Sequence, residues 1–261
     1  MDNGTMTAAA LTKTEAAIMN IHVFFPGSGQ RTSDEMISVL GAILGSAAPV
    51  IEKHGGRICW ISEAGISAVF EGECDRALRC AAEICSAPAL TSEAASAKLT
   101  VGIHYGSVSM GTLSCGSFSS FIAISDDNSL ARRVSELAVG FGAVILVTAA
   151  AAERIRDFGS RFSSRRLGLI HSRCDGRDTE LYDVFDGDPA DIKYKKRRSK
   201  LFFEKGVELF LAESYLQARS YFIELLRFDR SDAPAKEYVY KCDSFISDPQ
   251  QDGSGKYLAV I

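Results

Sequence analysis

Apolar positions recur along the chain with two different periods, and the switches between them mark out the elements. Residues 21–25 (IHVFF) are branched and aromatic and predict a strand, which Pro26-Gly27-Ser28-Gly29 ends. From Ser33 the period lengthens to that of a helix. Met36, Leu40, Ile43, Ala47 and Val50 share one face, Ser33 is placed to cap, and Asp34 and Glu35 suit the positive end of the dipole. His54-Gly55-Gly56 stops that helix. Two short strands, residues 57–61 and 66–70, then fold back through Ser62-Glu63-Ala64-Gly65. A helix over 74–85 follows, with Ala77, Leu78, Ala81 and Ile84 inward, and then a polar bridge over 86–97. Leu99, Val101 and Ile103 alternate as a strand, and residues 106–111 predict a bend into another. A helix over 130–137, a strand over 143–147, a short helix over 149–156 and a closing strand over 181–185 complete the alternation. Strands and helices interleaved in this way predict a layered α+β or α/β domain whose helices cover one sheet.

The pattern changes at residues 193–200 (KYKKRRSK), a charge run that predicts a basic, solvated linker over 191–200. Contact of this run with an acidic membrane or RNA is the alternative. Beyond it, Phe202, Phe203, Val207, Leu209 and Phe210, then Tyr221, Phe222, Leu225 and Leu226, predict two amphipathic helices parted near Glu213 and Ser214. A third helix is expected over about 235–246. The division is a flexible N-terminus (1–17), a main domain (18–190), the linker (191–200), a helical module (201–247) and a loose tail (248–261).

Composition narrows the partners. A net charge of −4 over 261 residues and a pI near 5.7 argue against a nucleic-acid binder. No run reaches the roughly 20 apolar residues that span a bilayer, and the first 18 residues lack the pattern of a signal peptide, so the cytoplasm is expected. The seven cysteines are scattered without a CxxC pair and read as reduced, mostly buried thiols. His22, His54, His104 and His171 have no metal-ligand spacing.

Four stretches in order resemble the class III adenylate/guanylate cyclase catalytic domain. They are the strand and loop at 23–29, His54-Gly55-Gly56 with Ala68-Val69-Phe70, the spaced Gly102, Ile103, Gly106, Val108 and Gly111, and Leu130-Ala131-x-Arg133. Leu167-Gly168, Asp175-Gly176 and Leu181-Tyr182-Asp183-Val184 resemble that family's closing strands. The resemblance covers residues 18–187. It implies an α+β fold, a ferredoxin-like sheet with helices on one face, and head-to-tail pairing that forms active sites between two such domains, whether alike or unlike.

The same resemblance implies a stripped site. Two aspartates of the family hold two divalent ions, and their positions here are Pro26 and Ala64. The purine-reading lysine corresponds to Trp60 and its partner to Ile122, while the ribose-orienting asparagine corresponds to Ser129. Arg133 matches the arginine that stabilises phosphate charge, so one of the six groups is kept. Arg133 is either a remnant phosphate site or a solvated helix residue. Glu63 is the nearest carboxylate to Ala64, but a one-residue slip turns it to the other face. Asp126 and Asp127 read as caps for the helix they precede. Gly27 and Gly29 are the weak candidates for a phosphate-cradling loop.

The C-terminal helices resemble a single tetratricopeptide-type repeat, with Gly206, Leu209, Ala218, Phe222 and Phe228 near its small and apolar positions. One repeat cannot bury its own apolar face, which implies docking on the main domain or on a protein partner. Deleting residues 201–261 is expected to leave the main domain folded. The resulting expectation is a catalytically degenerate, dimerising regulatory or scaffold module with no cofactor. The alternatives are an active cyclase using Mg2+ or Mn2+ with substituted ligands, and a nucleotide sensor without turnover.

Overall fold

In β2 (Thr12–Phe24) every second residue turns to the same side, and both sides are buried. Ala17, Met19, Ile21 and Val23 face one layer of helices; Ala16 and Ile18 face another. A strand covered on both faces must sit near the middle of a sheet. The computed structural model, which describes residues 7–8, 11–27, 32–72, 74–87, 97–173, 176–248 and 253–261, puts it there. The remaining strands are β1 (Thr7–Ala8), β3 (Arg57–Ser62), β4 (Gly65–Glu71), β5 (Lys98–Cys115), β6 (Phe118–Ile124), β7 (Ile145–Thr148), β8 (Ser164–His171), β9 (Asp178–Val184) and β10 (Ala259–Val260). They form one mixed sheet in the order β10-β8-β9-β7-β5-β2-β4-β3, with β1 and β6 also paired to β5.

The helices are α1 (Ser33–Lys53), α2 (Cys74–Cys85), α3 (Asn128–Phe141), α4 (Ala149–Ala152), α5 (Phe158–Arg161), α6 (Ala190–Leu211), α7 (Tyr215–Phe228) and α8 (Ala233–Ser247). On one face α1 contributes Ile43, Ala47 and Ile51, and α2 contributes Ala77, Leu78, Ala81 and Ile84, to a core shared with β2, β4, β5 and β7. On the other face α3 lies against β5, close enough that a Cβ on Gly102 would meet the Ala131 carbonyl at 2.3 Å. The mixed α+β class is as expected. Helices cover both faces, however, where the family resemblance implies one.

The C-terminal helices extend that second face. Phe203, Val207 and Phe210 of α6, Phe222 of α7 and Tyr238 of α8 share a core with Leu146 of β7, Leu167 and Ile170 of β8 and Leu181 of β9. Tyr238 stacks on Phe222 at 4.7 Å, and its hydroxyl donates to the Leu167 carbonyl at 2.7 Å. Gly168 makes this approach possible. Its φ is +127°, and a Cβ there would lie 2.0 Å from the Tyr238 hydroxyl.

Several sequence expectations change. Residues 191–200 are the first turns of α6; Lys196 turns inward to Asp183 of the sheet, while Arg197 and Arg198 remain exposed. β2 begins at Thr12, inside the stretch read as a flexible N-terminus, because it pairs with β5 as far as Met110. β5 runs unbroken through residues 106–111, since that stretch is paired with β2 on one side and from Ser109 onward with β6 on the other. Of the final stretch read as loose, Leu258 is buried and β10 pairs in parallel with Ile170 and His171. The cap of α1 is Thr32, in a reciprocal capping box with Glu35. By length and composition α1 is also apolar enough to cross a membrane, against expectation, although its buried residues belong to the sheet core. Cys74, Cys80, Cys85 and Cys242 are buried free thiols; Cys115 is exposed. Ser28, Gly29, Asp175 and bridge residues 88–96 lie outside the described residues.

Candidate functional site

The two positions matched to metal-binding aspartates come to one corner of the sheet. Pro26 follows the last residues of β2, and Ala64 sits in the β3–β4 turn beside it. The Ala64 carbonyl accepts from the Val23 amide at 2.9 Å and lies 3.2 Å from Nδ1 of His22. Gly65 allows the turn to sit so close, because at its φ of +141° a Cβ would fall 1.8 Å from the Ile21 carbonyl oxygen. The β3–β4 turn is thus held against the end of β2, and the side chains at the two matched positions offer no donors. Neither Pro26 nor Ala64 carries a side-chain oxygen, and Glu63, the carboxylate of the turn, is exposed. No group of three His, Cys, Asp or Glu side chains able to hold a metal occurs among the described residues. The residues present therefore do not fit a pair of divalent ions.

Trp60 and Ile122 are not brought together. A bulge between Ile58 and Trp60 sets Trp60 opposite Ser67, on the α3 side of the sheet with Cys59, Phe121 and Ala123. Ile122 pairs with Gly111, one position out of step with Phe121 and Ala123, so by alternation it points to the other face. The strands themselves do meet: the Arg57 guanidinium lies 3.5 Å from the centre of the Phe121 ring. Trp60 (66% exposed), Phe118 (63%) and Ile124 (61%) leave large apolar side chains on β3 and β6 in contact with solvent.

Ser129 and Arg133 stand one turn apart on α3. The Ser129 hydroxyl donates to the Asp126 carbonyl at 3.2 Å, which is a local turn contact. Arg133 is half-buried and has no hydrogen bond or ion pair among the described residues, which leaves it open to an anion. Asp127 precedes α3 without capping it. Its carboxylate turns instead to Arg177 at 2.7 Å and to Nε2 of the buried His104 at 3.8 Å. It occupies the space left by Gly106, where a Cβ would lie 2.1 Å away. Gly27 is exposed at the end of β2 with a φ of +104°, and no anion-binding arrangement is formed there by the described residues.

The most concentrated polar chemistry lies elsewhere and was missed. Arg165 of β8, 1% exposed, donates to Asp183 of β9 at 3.1 Å and to Asp232 at 2.5 Å, and lies 4.4 Å from the Phe203 ring centre. Asp232 also caps α8 through the Ala235 amide at 3.1 Å. Lys196 of α6 reaches Asp183 at 3.0 Å and Asp188 at 2.7 Å. Burial tends to discharge Arg165, and the two aspartates outweigh that effect, so its pKa is raised. Burial pushes the Asp188 carboxyl up to about 6 against the pull of Lys196. The signal in the sequence is Asp183 inside the apolar run LYDVF; Arg165, between Ser164 and Arg166, gives none. A charge on a buried strand implies an opposite charge arriving from another element.

No protein-family profile matches the chain. Among curated proteins it is similar to the terminal-differentiation-specific adenylate cyclase of Dictyostelium discoideum, at 24% identity over 244 residues, or 87% of this chain and 12% of that protein. Among solved structures it is similar to a bacterial light-regulated adenylyl cyclase, with a TM-score of 0.57 and 17% identity over 74% of this chain and 59% of that one. It is also similar to a dimeric guanylyl cyclase domain of a fusion protein from Blastocladiella emersonii, with a TM-score of 0.51 and 15% identity over 66% of this chain and 97% of that domain. The fold is that of the adenylyl and guanylyl cyclase domains. The chain spans a small part of the curated relative and less than two thirds of the first of these structures.

Proposed function

We propose that this chain is a nucleotidyl cyclase-like domain without cyclase turnover, acting as a dimerising regulatory or scaffold module with a partner-binding C-terminal tail. The observation that carries this reading is that neither Pro26 nor Ala64, the positions matched to the metal-holding aspartates, carries a side-chain oxygen. Cyclisation needs metal ions to offset triphosphate charge and activate the attacking hydroxyl, each worth several kcal/mol of barrier. Phe118 and Ile124, exposed on the same face of β6, support pairing with a second domain of either kind. The dimeric state of the Blastocladiella domain agrees with that.

Arg133 favours a second reading, a nucleotide sensor that binds phosphate without turnover. A cyclase assay with ATP and GTP in Mn2+, run beside a nucleotide-binding titration, separates the readings. The expected result is no cyclic nucleotide. Metal-dependent turnover that Arg133→Ala abolishes overturns the first reading, and nucleotide binding without turnover, lost in the same variant, establishes the second.

A further inference from the structure

Phe203, Val207, Phe210, Phe222 and Tyr238 of the C-terminal helices are buried against the sheet, while Leu216, Tyr240 and Ile246 are among the large apolar side chains left exposed. On α6, Tyr194, Leu201 (77% exposed) and Phe202 point outward, and Phe228 does so at the end of α7. Two pits flank the last two turns of α7. One, of about 410 Å³, lies between α6 and α7 and is walled by Arg198, Phe202, Leu225 and Phe228. The other, of about 470 Å³, is walled by Ile223, Leu226, Arg227, Arg230 and Lys236. Each has room for one or two bulky apolar side chains.

The rim is basic in a chain whose net charge is −4. Among the described residues Glu224 is the one carboxylate lining either pit, and Arg227 already pairs with it. Arg198 donates to the Tyr194 hydroxyl at 3.0 Å. Arg198, Arg230 and Lys236 pair with no carboxylate among the described residues. We infer that this face docks an acidic amphipathic helix of a partner protein, whose apolar side chains enter the two pits while its carboxylates pair with Arg198, Arg230 and Lys236.

A second copy of this chain fits less well. Antiparallel pairing of two α6 helices centred on Leu201 and Phe202 sets Arg198 of each against Lys205 of the other, a like-charge contact. A nucleic acid or an anionic membrane would meet the same cations, but it has no side chains to fill two separate apolar pits. The inference deepens the reading of the tail as a partner-binding module and does not depend on the state of the nucleotide corner, so the cyclase assay and the experiment below can fail independently.

The test uses the full chain against a display library of 20-residue helices with leucines on one face and randomised polar positions. The expected result is enrichment of sequences rich in Asp and Glu beside the apolar stripe. Binding of a labelled selected peptide should weaken at least about tenfold in Phe202→Ala with Phe228→Ala, as for removal of central anchors. In Arg230→Glu with Lys236→Glu it should weaken similarly and lose most of its salt dependence. These side chains face solvent, and unchanged thermal melts would show that the fold is intact. No enrichment, enrichment without acidic bias, or peptide binding indifferent to both pairs of changes overturns the inference. So does binding of anionic phosphatidylserine vesicles or duplex RNA that the charge reversal abolishes while peptide binding is absent.

Discussion

At the β3–β4 corner Pro26 and Ala64 carry no charge, whereas at the β8–β9 seam Arg165, Asp183, Lys196, Asp188 and Asp232 are packed together away from water. The first region offers no ionic side chain at either position. The second has gathered three carboxylates and two cations that hold a helical tail to the sheet. Chemistry at a surface corner can disappear without harming the fold, because nothing buried there depends on it. A buried ion pair cannot lose one member in that way, since the partner left behind is an uncompensated charge. The comparison therefore assigns the charges of this chain mainly to architecture, and it can be broken at either end.

The largest effect is expected from removing residues 190–261. The deletion takes away Lys196 and Asp232 and uncovers Leu167, Ile170, Leu181 and Leu146 on the face the tail covers. The remaining sheet should be insoluble or lack a cooperative melt, against the sequence expectation of a self-sufficient main domain. A soluble fragment with a sharp thermal transition would show that the seam is an accessory contact.

Next in size is Arg165→Ala, which leaves Asp232 buried without its cation and Asp183 sharing Lys196 with Asp188, and empties the space beside Phe203. A loss of about 3–5 kcal/mol is expected from urea unfolding. Arg57→Ala, which removes a surface cation stacked on Phe121 at the other end of the sheet, is expected to cost only about 0.5–1 kcal/mol. Equal losses would erase the distinction between the regions.

A smaller effect tests the seam through pH. The folded pKa of Asp188 is raised to about 6 from the ordinary 3.8, so the folded chain holds this proton more tightly than the unfolded chain does. The stability that follows is fully present below about pH 4 and is lost as pH rises through about 6. Relative to Asp188→Asn, the wild type should lose on the order of 2 kcal/mol between pH 4 and pH 7. A stability difference that stays constant across this range would mean that Lys196 keeps Asp188 charged throughout.

Much of this organisation was legible in the sequence, for unequal reasons. α1, α2 and the third tail helix follow from periodicity and the β3–β4 hairpin from its two short apolar runs, whereas of β2 only its last residues follow, from their branched and aromatic content. The break at residues 191–200 was misread since a run of lysines and arginines looks solvated when its partners are distant: Asp183 precedes Lys196 by only 13 residues, but they meet across a sheet and a helix start. β5 was split because its glycines resemble turn residues, and only the packed Asp127 beside Gly106 explains why a glycine stands mid-strand. Motif order located the corner at Pro26 and Ala64. It could not give the register that sends Trp60 and Ile122 to opposite faces, since a single bulge at Ile58–Trp60 decides it.

The smallest effect is expected where repair looks easiest. Pro26→Asp with Ala64→Asp returns two carboxylates to neighbouring backbone positions, and Mn2+ binding measured by calorimetry could appear. Cyclic nucleotide production should not. Trp60 offers a single neutral indole N–H donor in place of a lysine ammonium, Ile122 faces away from it, and the Ser129 hydroxyl is turned to its own helix start. Metal ions supply charge, whereas holding the hydroxyl in line with the phosphate can contribute as much as roughly 7–11 kcal/mol. Arg133 alone cannot provide that alignment. Robust product formation by the double variant, from ATP or GTP, would show that the substrate pocket had survived and that the two missing carboxylates were the whole difference between this corner and a working one.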